Sequence, residues 1–262
     1  MAEPPGARAH LNLVESSRRL FALDRGAELE AGEGWLFGAG TADNPMITNA
    51  AFRTDDGLDP AELIARAGEF FGARGRGFTV WARRGAPADR DLIEVAEGSG
   101  LKNAYEMPEM ILAGRAEEPP LPNGVEVRRL SSAEDAEQYW RIAAAAYESV
   151  GFPPEVFGHY EGLEGLADAV AFLALLDGKP VGIAMTIVSH GVAGIYWVGS
   201  LTEARGRGIG RAVTAAATNA GFDLGADFAS LQASPMGAPV YRAMGYETIC
   251  DYRLLLAPAP GG

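Results

Sequence analysis

The stretch Val198-Gly199-Ser200-Leu201-Thr202-Glu203-Ala204-Arg205-Gly206-Arg207-Gly208-Ile209-Gly210-Arg211-Ala212 constrains the fold more than any other part of the chain. An apolar strand runs into a glycine-rich, arginine-flanked turn, and a helix opens at about Ile209. Strand, glycine loop and helix N-terminus in that order make an anion cradle. Unpaired N–H groups converge there, the helix dipole favours negative charge, and missing side chains let an oxyanion approach the main chain. Arg205, Arg207 and Arg211 add positive charge locally to a chain of net charge -13. The loop is expected to hold a phosphate group.

Spacing removes two kinds of phosphate ligand. The nucleotide P-loop needs G-x-x-x-x-G-K-[ST], and no Lys-Ser or Lys-Thr pair follows these glycines. The dinucleotide fingerprint G-x-G-x-x-G also fails, because its third glycine falls on Arg211 or Val213. What fits is Arg-x-x-Gly-x-Gly at Arg205, Gly208 and Gly210, after a strand and before a helix. Downstream, residues 231–234 read as a strand, and residues 239–247 as a short helix carrying Tyr241, a turn glycine and a new strand. This pair of motifs resembles the GCN5-related N-acetyltransferases, the GNAT family.

The tetrapeptide Arg-Gly-Arg-Gly also occurs at Arg74 to Gly77, which serves as an internal control. That copy follows a helical stretch and precedes the strand Phe78-Thr79-Val80-Trp81, so no helix N-terminus points at it. It reads as a helix-to-strand turn.

The resemblance covers about residues 124–256 and implies an α+β fold of three α/β layers: a mixed, mostly antiparallel central sheet flanked by helices. Glu117-Glu118-Pro119-Pro120-Leu121-Pro122-Asn123-Gly124 reads as a linker. It divides the chain into residues 1–116 and a catalytic domain of residues 125–262. In the second part a strand leads to a helix with Ser131 as N-cap and Glu134 closing a capping box. A second short helix is expected near residues 155–160, then three strands, the loop and its helix, a strand, a short helix and two closing strands. The first part echoes this ending. A helix and Gly100 precede the strand of residues 103–112, Ala96 standing where the second part has Tyr241. No Arg-x-x-Gly-x-Gly follows a strand there, so residues 1–116 read as a degenerate GNAT-like copy, making two GNAT-like halves.

The resemblance implies acetyl-CoA as donor and a primary amine of a small molecule or peptide as acceptor, by direct transfer in a ternary complex. Val198, Gly199, Ser200, Arg205, Gly206, Arg207, Gly208, Ile209, Gly210, Arg211 and Ser234 would bind the cofactor, with Val198 and Ser200 pairing with its amide-rich arm. Ser234 stands where many members have asparagine, and Thr202 where a proline is common. Tyr241 lies where the family places the acid that protonates the departing thiolate. For the base, Glu148 is preferred over His159, Glu203 and strand-held water. His159 and His190 read as surface residues in turn-rich segments, and Cys250 as a strand-core residue. No metal is expected, since three histidines and one cysteine show no ligand spacing.

Acidity argues against nucleic acid and anionic membranes as partners. The longest apolar run, residues 169–176, is too short for a membrane helix. The start Met1-Ala2-Glu3-Pro4-Pro5-Gly6 lacks an export signal, and one cysteine fits a reducing compartment, so a cytoplasmic monomer or homodimer is expected. Two other classes stay open: a non-catalytic acyl-CoA-binding or regulatory module, and a nucleotide-dependent transferase, which the missing Lys-Ser/Thr disfavours.

Overall fold

The computed structural model describes residues 3–261; Met1 and Ala2, where the segment read for export begins, and Gly262 lie outside the described residues. The first half runs α1 (Pro5–Leu23), β1 (Glu28–Gly32), β2 (Trp35–Ala39), β3 (Asn49–Arg53), α2 (Pro60–Gly72), β4 (Phe78–Arg84), α3 (Arg90–Gly98) and β5 (Lys102–Leu112). The second runs β6 (Val125–Arg129), α4 (Ala133–Glu148), β7 (Ala169–Leu176), β8 (Lys179–Ser189), β9 (Val192–Ser200), α5 (Ile209–Asp223), β10 (Phe228–Gln232), α6 (Ala238–Ala243) and β11 (Glu247–Ala257). From β7 onward the second half repeats the first element by element, and α4 stands where the first half has α1. No helix among the described residues is long and apolar enough to cross a membrane.

Local chemistry sets the helix starts. Asp59 accepts the N–H of Ala61 ahead of Pro60, whose fixed φ suits the first helical position. At α4 the cap is Ser132 rather than Ser131, its side chain accepting the N–H of Asp135 at 3.1 Å. Asp135 therefore takes the part expected of Glu134. Its carboxylate accepts from the N–H and hydroxyl of Ser131 and is clamped by Arg128. The expected second helix is only 3-10 turns at Pro154–Phe157 and Leu163–Gly165, because prolines and glycines interrupt the run. The two expected closing strands are one, β11, with a bulge between Thr248 and Cys250.

The eleven strands among the described residues form one sheet, ordered β1-β2-β3-β4-β11-β5-β10-β9-β8-β7-β6. The halves exchange their last strands. β11, the end of the second half, lies between β4 and β5 of the first, antiparallel to both. β5, the end of the first half, lies against β10 of the second. Side chains of β11 are buried on both faces, Tyr252 and Leu254 on one and Leu255 on the other. Each such burial contributes about 1.5–3 kcal/mol relative to an exposed position. Helices α2, α3, α5 and α6 cover one face of the sheet, while α1 and α4 cover the other.

Helix α1 reaches across the junction. Buried Asn12 donates to Ile187 O at 3.1 Å and Val192 O at 3.0 Å, and accepts from the Tyr196 hydroxyl at 2.7 Å. Two residues earlier, buried His10 bonds Arg53 O at 2.7 Å through Nε2 and the Tyr252 hydroxyl at 2.8 Å through Nδ1. A carbonyl can only accept, so Nε2 carries the proton and Nδ1 accepts from Tyr252. Burial lowers the His10 pKa to about 4, with Arg83 nearby adding to the effect.

A histidine whose folded pKa lies below its unfolded value stabilises the fold fully above the unfolded value near 6.5, and that stability is lost as pH falls toward 4. Between about pH 7.5 and about 5 the wild-type chain should therefore lose about 2 kcal/mol more unfolding free energy than His10→Gln. Urea unfolding at the two pH values measures this; equal losses would contradict the assignment.

Candidate active site

Strands β9 and β10 run parallel for only three pairs, Phe228, Ala229 and Ser230 against Val192, Ala193 and Gly194. Beyond them the strands part, leaving a wedge whose β9 wall is residues 195–200. Leu201 donates its N–H to Val181 O at 2.9 Å on the β8 side. Main-chain groups alternate sides along a strand, so those of Ser200 and Val198 face into the wedge. Two tyrosines of α4 fix this wall: the Tyr139 hydroxyl donates to Trp197 O and the Tyr147 hydroxyl to Val198 O, both at 3.3 Å.

The pairing of β8 with β9 slips between Ile183 and Met185, and Trp197 has φ 49° at the bulge. A left-handed backbone on a bulky residue costs on the order of 1–3 kcal/mol and clusters at functional sites. The bulge turns Trp197 to the α4 face, against Tyr147 and Phe157, and its buried indole N–H has no partner among the described residues. It also leaves Val198 to line the wedge. Gly199 lets α4 close in, since a Cβ there would stand 3.0 Å from that of Ala146.

The glycine loop lies at the end of β9. After a 3-10 turn at Thr202–Ala204, Gly208 caps α5 with φ 76°, a conformation that disfavours any side chain. The N–H groups of Arg207, Gly208, Ile209, Gly210 and Arg211 have no acceptor among the described residues. Gly210 has open space where a Cβ would sit. Arg207 is exposed, while Arg211 keeps a buried Nε with no partner among the described residues and lies 3.6 Å from Glu117. Arg205 turns back to the end of α4, donating to Ser149 Oγ and to Ala146 O. Five consecutive free donors on a helix N-terminus fit a diphosphate. Ser234 is exposed, and its hydroxyl accepts the N–H of Gly237 at 3.1 Å in the turn before α6.

On the α5 side of the wedge, Tyr241 is 9% exposed, and burial pushes its pKa up to about 12 against a smaller opposing hydrogen bond with Thr214. Tyr147 is raised further still by burial, with Tyr241 and Tyr105 close enough to add to the effect. The α4 hydroxyl of Tyr147 thus reaches Val198, with Tyr241 of α6 and Tyr105 of the exchanged strand β5 near it. Glu148 ends α4 as an exposed residue whose carboxylate has no partner among the described residues. Glu203 and His190 are also exposed, and His159 is half-buried. The sequence reading did not single out Tyr147, Tyr105 or Trp197. The adjacent aromatics Tyr196-Trp197 inside an alternating strand were a readable sign of the bulge.

The first half has the matching wedge between β3 and β4, whose parallel pairing ends at Phe52 and Trp81. Here an ionic cluster occupies its mouth. Arg83 grips Asp89 through Nε at 2.8 Å and Nη2 at 2.9 Å, and Arg53 grips Asp91 at 2.8 Å. The loop corresponding to the glycine loop contains Asp55, Asp56 and Asp59, which would repel a phosphate.

The model of the acetyltransferase (GNAT) family matches residues 136–246. Mycothiol acetyltransferase from Streptomyces griseus subsp. griseus is 28% identical over 185 residues, 67% of this chain and 60% of that protein, so the match spans less than two thirds of the relative. Among solved structures, a GCN5-related N-acetyltransferase from Kribbella flavida superposes with TM-score 0.71 at 26% identity, covering 97% of this chain and 96% of the other. A tandem GNAT protein from the clavulanic acid biosynthesis pathway superposes with TM-score 0.64 at 16% identity over 99% of this chain and 89% of its own, a likeness of fold. With the glycine loop inside the matched segment, residues 136–246 belong to the GNAT family, and the chain as a whole has the GNAT fold.

Proposed function

We propose that the protein is a cytoplasmic acetyl-CoA-dependent N-acetyltransferase that moves an acetyl group directly to a primary amine of a small molecule or peptide. The first half, residues 1–116, is a degenerate copy joined through residues 117–124 to the catalytic half. The observation that carries this reading is the row of five unpartnered N–H groups at residues 207–211, at the open end of the β9–β10 wedge. The donor supplies an activated thioester when bound. The main chain of residues 207–211 would hold its diphosphate, and Val198 and Ser200 would pair with its amide-bearing arm. The Val198 N–H would polarise the thioester carbonyl.

Tyr241 keeps its proton at neutral pH, because burial disfavours the phenolate. It can hand that proton to sulfur as negative charge develops there. A free thiol has a pKa of ~8.5, but a thiolate in the same dry wedge gains proton affinity by the same desolvation.

Tyr241→Phe should lower kcat about 100-fold while leaving acetyl-CoA affinity within about twofold. Steady-state kinetics with free-thiol detection on an amine panel decides this. Binding without turnover on any amine would favour the acyl-CoA-binding module instead. Gly210→Val should weaken acetyl-CoA binding at least ~10-fold with little loss of Tm, since no protein atom opposes the new side chain. Calorimetric titration should give one acetyl-CoA per chain, as the ion pairs of Arg53 and Arg83 occupy the first-half wedge. Two equivalent sites would overturn the degenerate reading of that half.

A further inference from the structure

Glu109 belongs to the first half, yet the strand exchange seats it under the second-half wedge. It lies opposite Gln232 in the β5–β10 ladder, two residues past the last parallel β9–β10 pair at Ser230. Its side chain is 1% exposed. It accepts from the Ser230 hydroxyl and, at 2.6 Å, from the Gln232 amide. Both partners point away from α5, to the face of the sheet that Trp197 and Tyr147 also line. Further along β5, Met107 and Tyr105 share that face and are only partly buried, so the wall opens outward from Glu109.

A buried carboxylate without a cation is costly, and such groups concentrate where the charge is used. No arginine, lysine or histidine bonds to Glu109 among the described residues; its two partners are neutral. The groups around it are Ser230 and Gln232 on β10, Cys250 and Tyr252 on β11, Tyr196 on β9 and, at longer range, Arg83 on β4. Burial pushes its pKa up to about 7, against the opposing pull of Ser230, Gln232 and Arg83. A purely structural link between β5 and β10 would need only a neutral amide at this position.

We propose that Glu109, delivered by the exchanged strand β5, is the proton acceptor for the amine substrate, entering from the face of the wedge opposite α5. The role rests on the acetyltransferase reading above. An ammonium substrate gives one N–H proton to a Glu109 carboxylate oxygen, directly or through one water. The freed lone pair forms the C–N bond to the acetyl carbon, the C–S bond breaks, and sulfur takes the Tyr241 hydroxyl proton. The second amine proton leaves to solvent, which also returns a proton to Tyr241 and takes the one held by Glu109. β5 lies about 5 Å beyond β10, the second wall of the wedge, so a β5 side chain on the shared face can reach toward a substrate there. The first half is then part of the active site, although its own wedge is closed.

The test is the pH dependence of kcat for the full chain, with saturating acetyl-CoA and an amine it accepts, from about pH 5.5 to about 9. The wild-type rate should rise with pH along a limb centred near neutrality, because the charged carboxylate is the active form. Glu109→Gln, which keeps size and hydrogen bonding, should lower kcat about 100-fold and abolish that limb, with Tm and acetyl-CoA affinity little changed. Ser230→Ala removes a donor to the charged form and should move the limb up by about one pH unit. That variant decides the matter if Glu109→Gln fails to fold. An unmoved limb in both variants, or loss of the limb in Glu148→Gln instead, overturns the proposal. A wild-type chain that acetylates no amine overturns the acetyltransferase reading, and the role of Glu109 with it.

Discussion

The exchange of β5 and β11 is the contact on which everything else in this molecule rests. β11 pairs with β4 along Asp251–Ala257 and with β5 along Glu247–Leu256, so each half is closed by the other's last strand. Without the exchange, β4 and β10 would each present an unpaired row of N–H and C=O groups, a costly edge next to an apolar core. Exposed ion pairs such as Arg84–Asp251 and Arg253–Glu97 decorate the seam. They add little beside the ladder and the buried Tyr252, Leu254 and Leu255.

That seam also divides labour between the halves. Both contain a parallel strand pair that splays after three residues, and the physics of their mouths is opposite. In the second half backbone donors with no acceptor among the described residues lie at the opening, favouring an anion despite a net charge of -13. In the first half carboxylates and guanidiniums satisfy one another across the gap, and the loop is acidic. The first half also supports the second in two ways. α1 braces β8 and β9 through Asn12, and β5 flanks β10, the second wall of the wedge, placing Glu109 opposite Gln232.

The glycine loop was legible from sequence because its signature is local: strand, glycines and helix start need only consecutive residues. The contrast between the two Arg-Gly-Arg-Gly copies was legible for the same reason, since the structure places Arg74 to Gly77 between α2 and β4. The echo of the closing helix, glycine and strand in the first half was visible as well. Its consequence was not, because which strand pairs with which depends on contacts over a hundred residues apart. Glu109 therefore looked like one more carboxylate in an alternating strand. Glu148 drew attention by its place at the end of α4, where it is exposed. The cap at Ser132 and the loss of the second helix are shifts of register and of propensity, which side-chain clamps and prolines decide locally.

Hydrogen exchange resolved by peptide, on the full chain under native conditions, tests most directly whether one sheet unites the halves. Peptides from β4, β5, β10 and β11 should share a single opening free energy, equal to that of global unfolding. A first half that opens well below the second, with β10 and β11 still protected, would contradict the account.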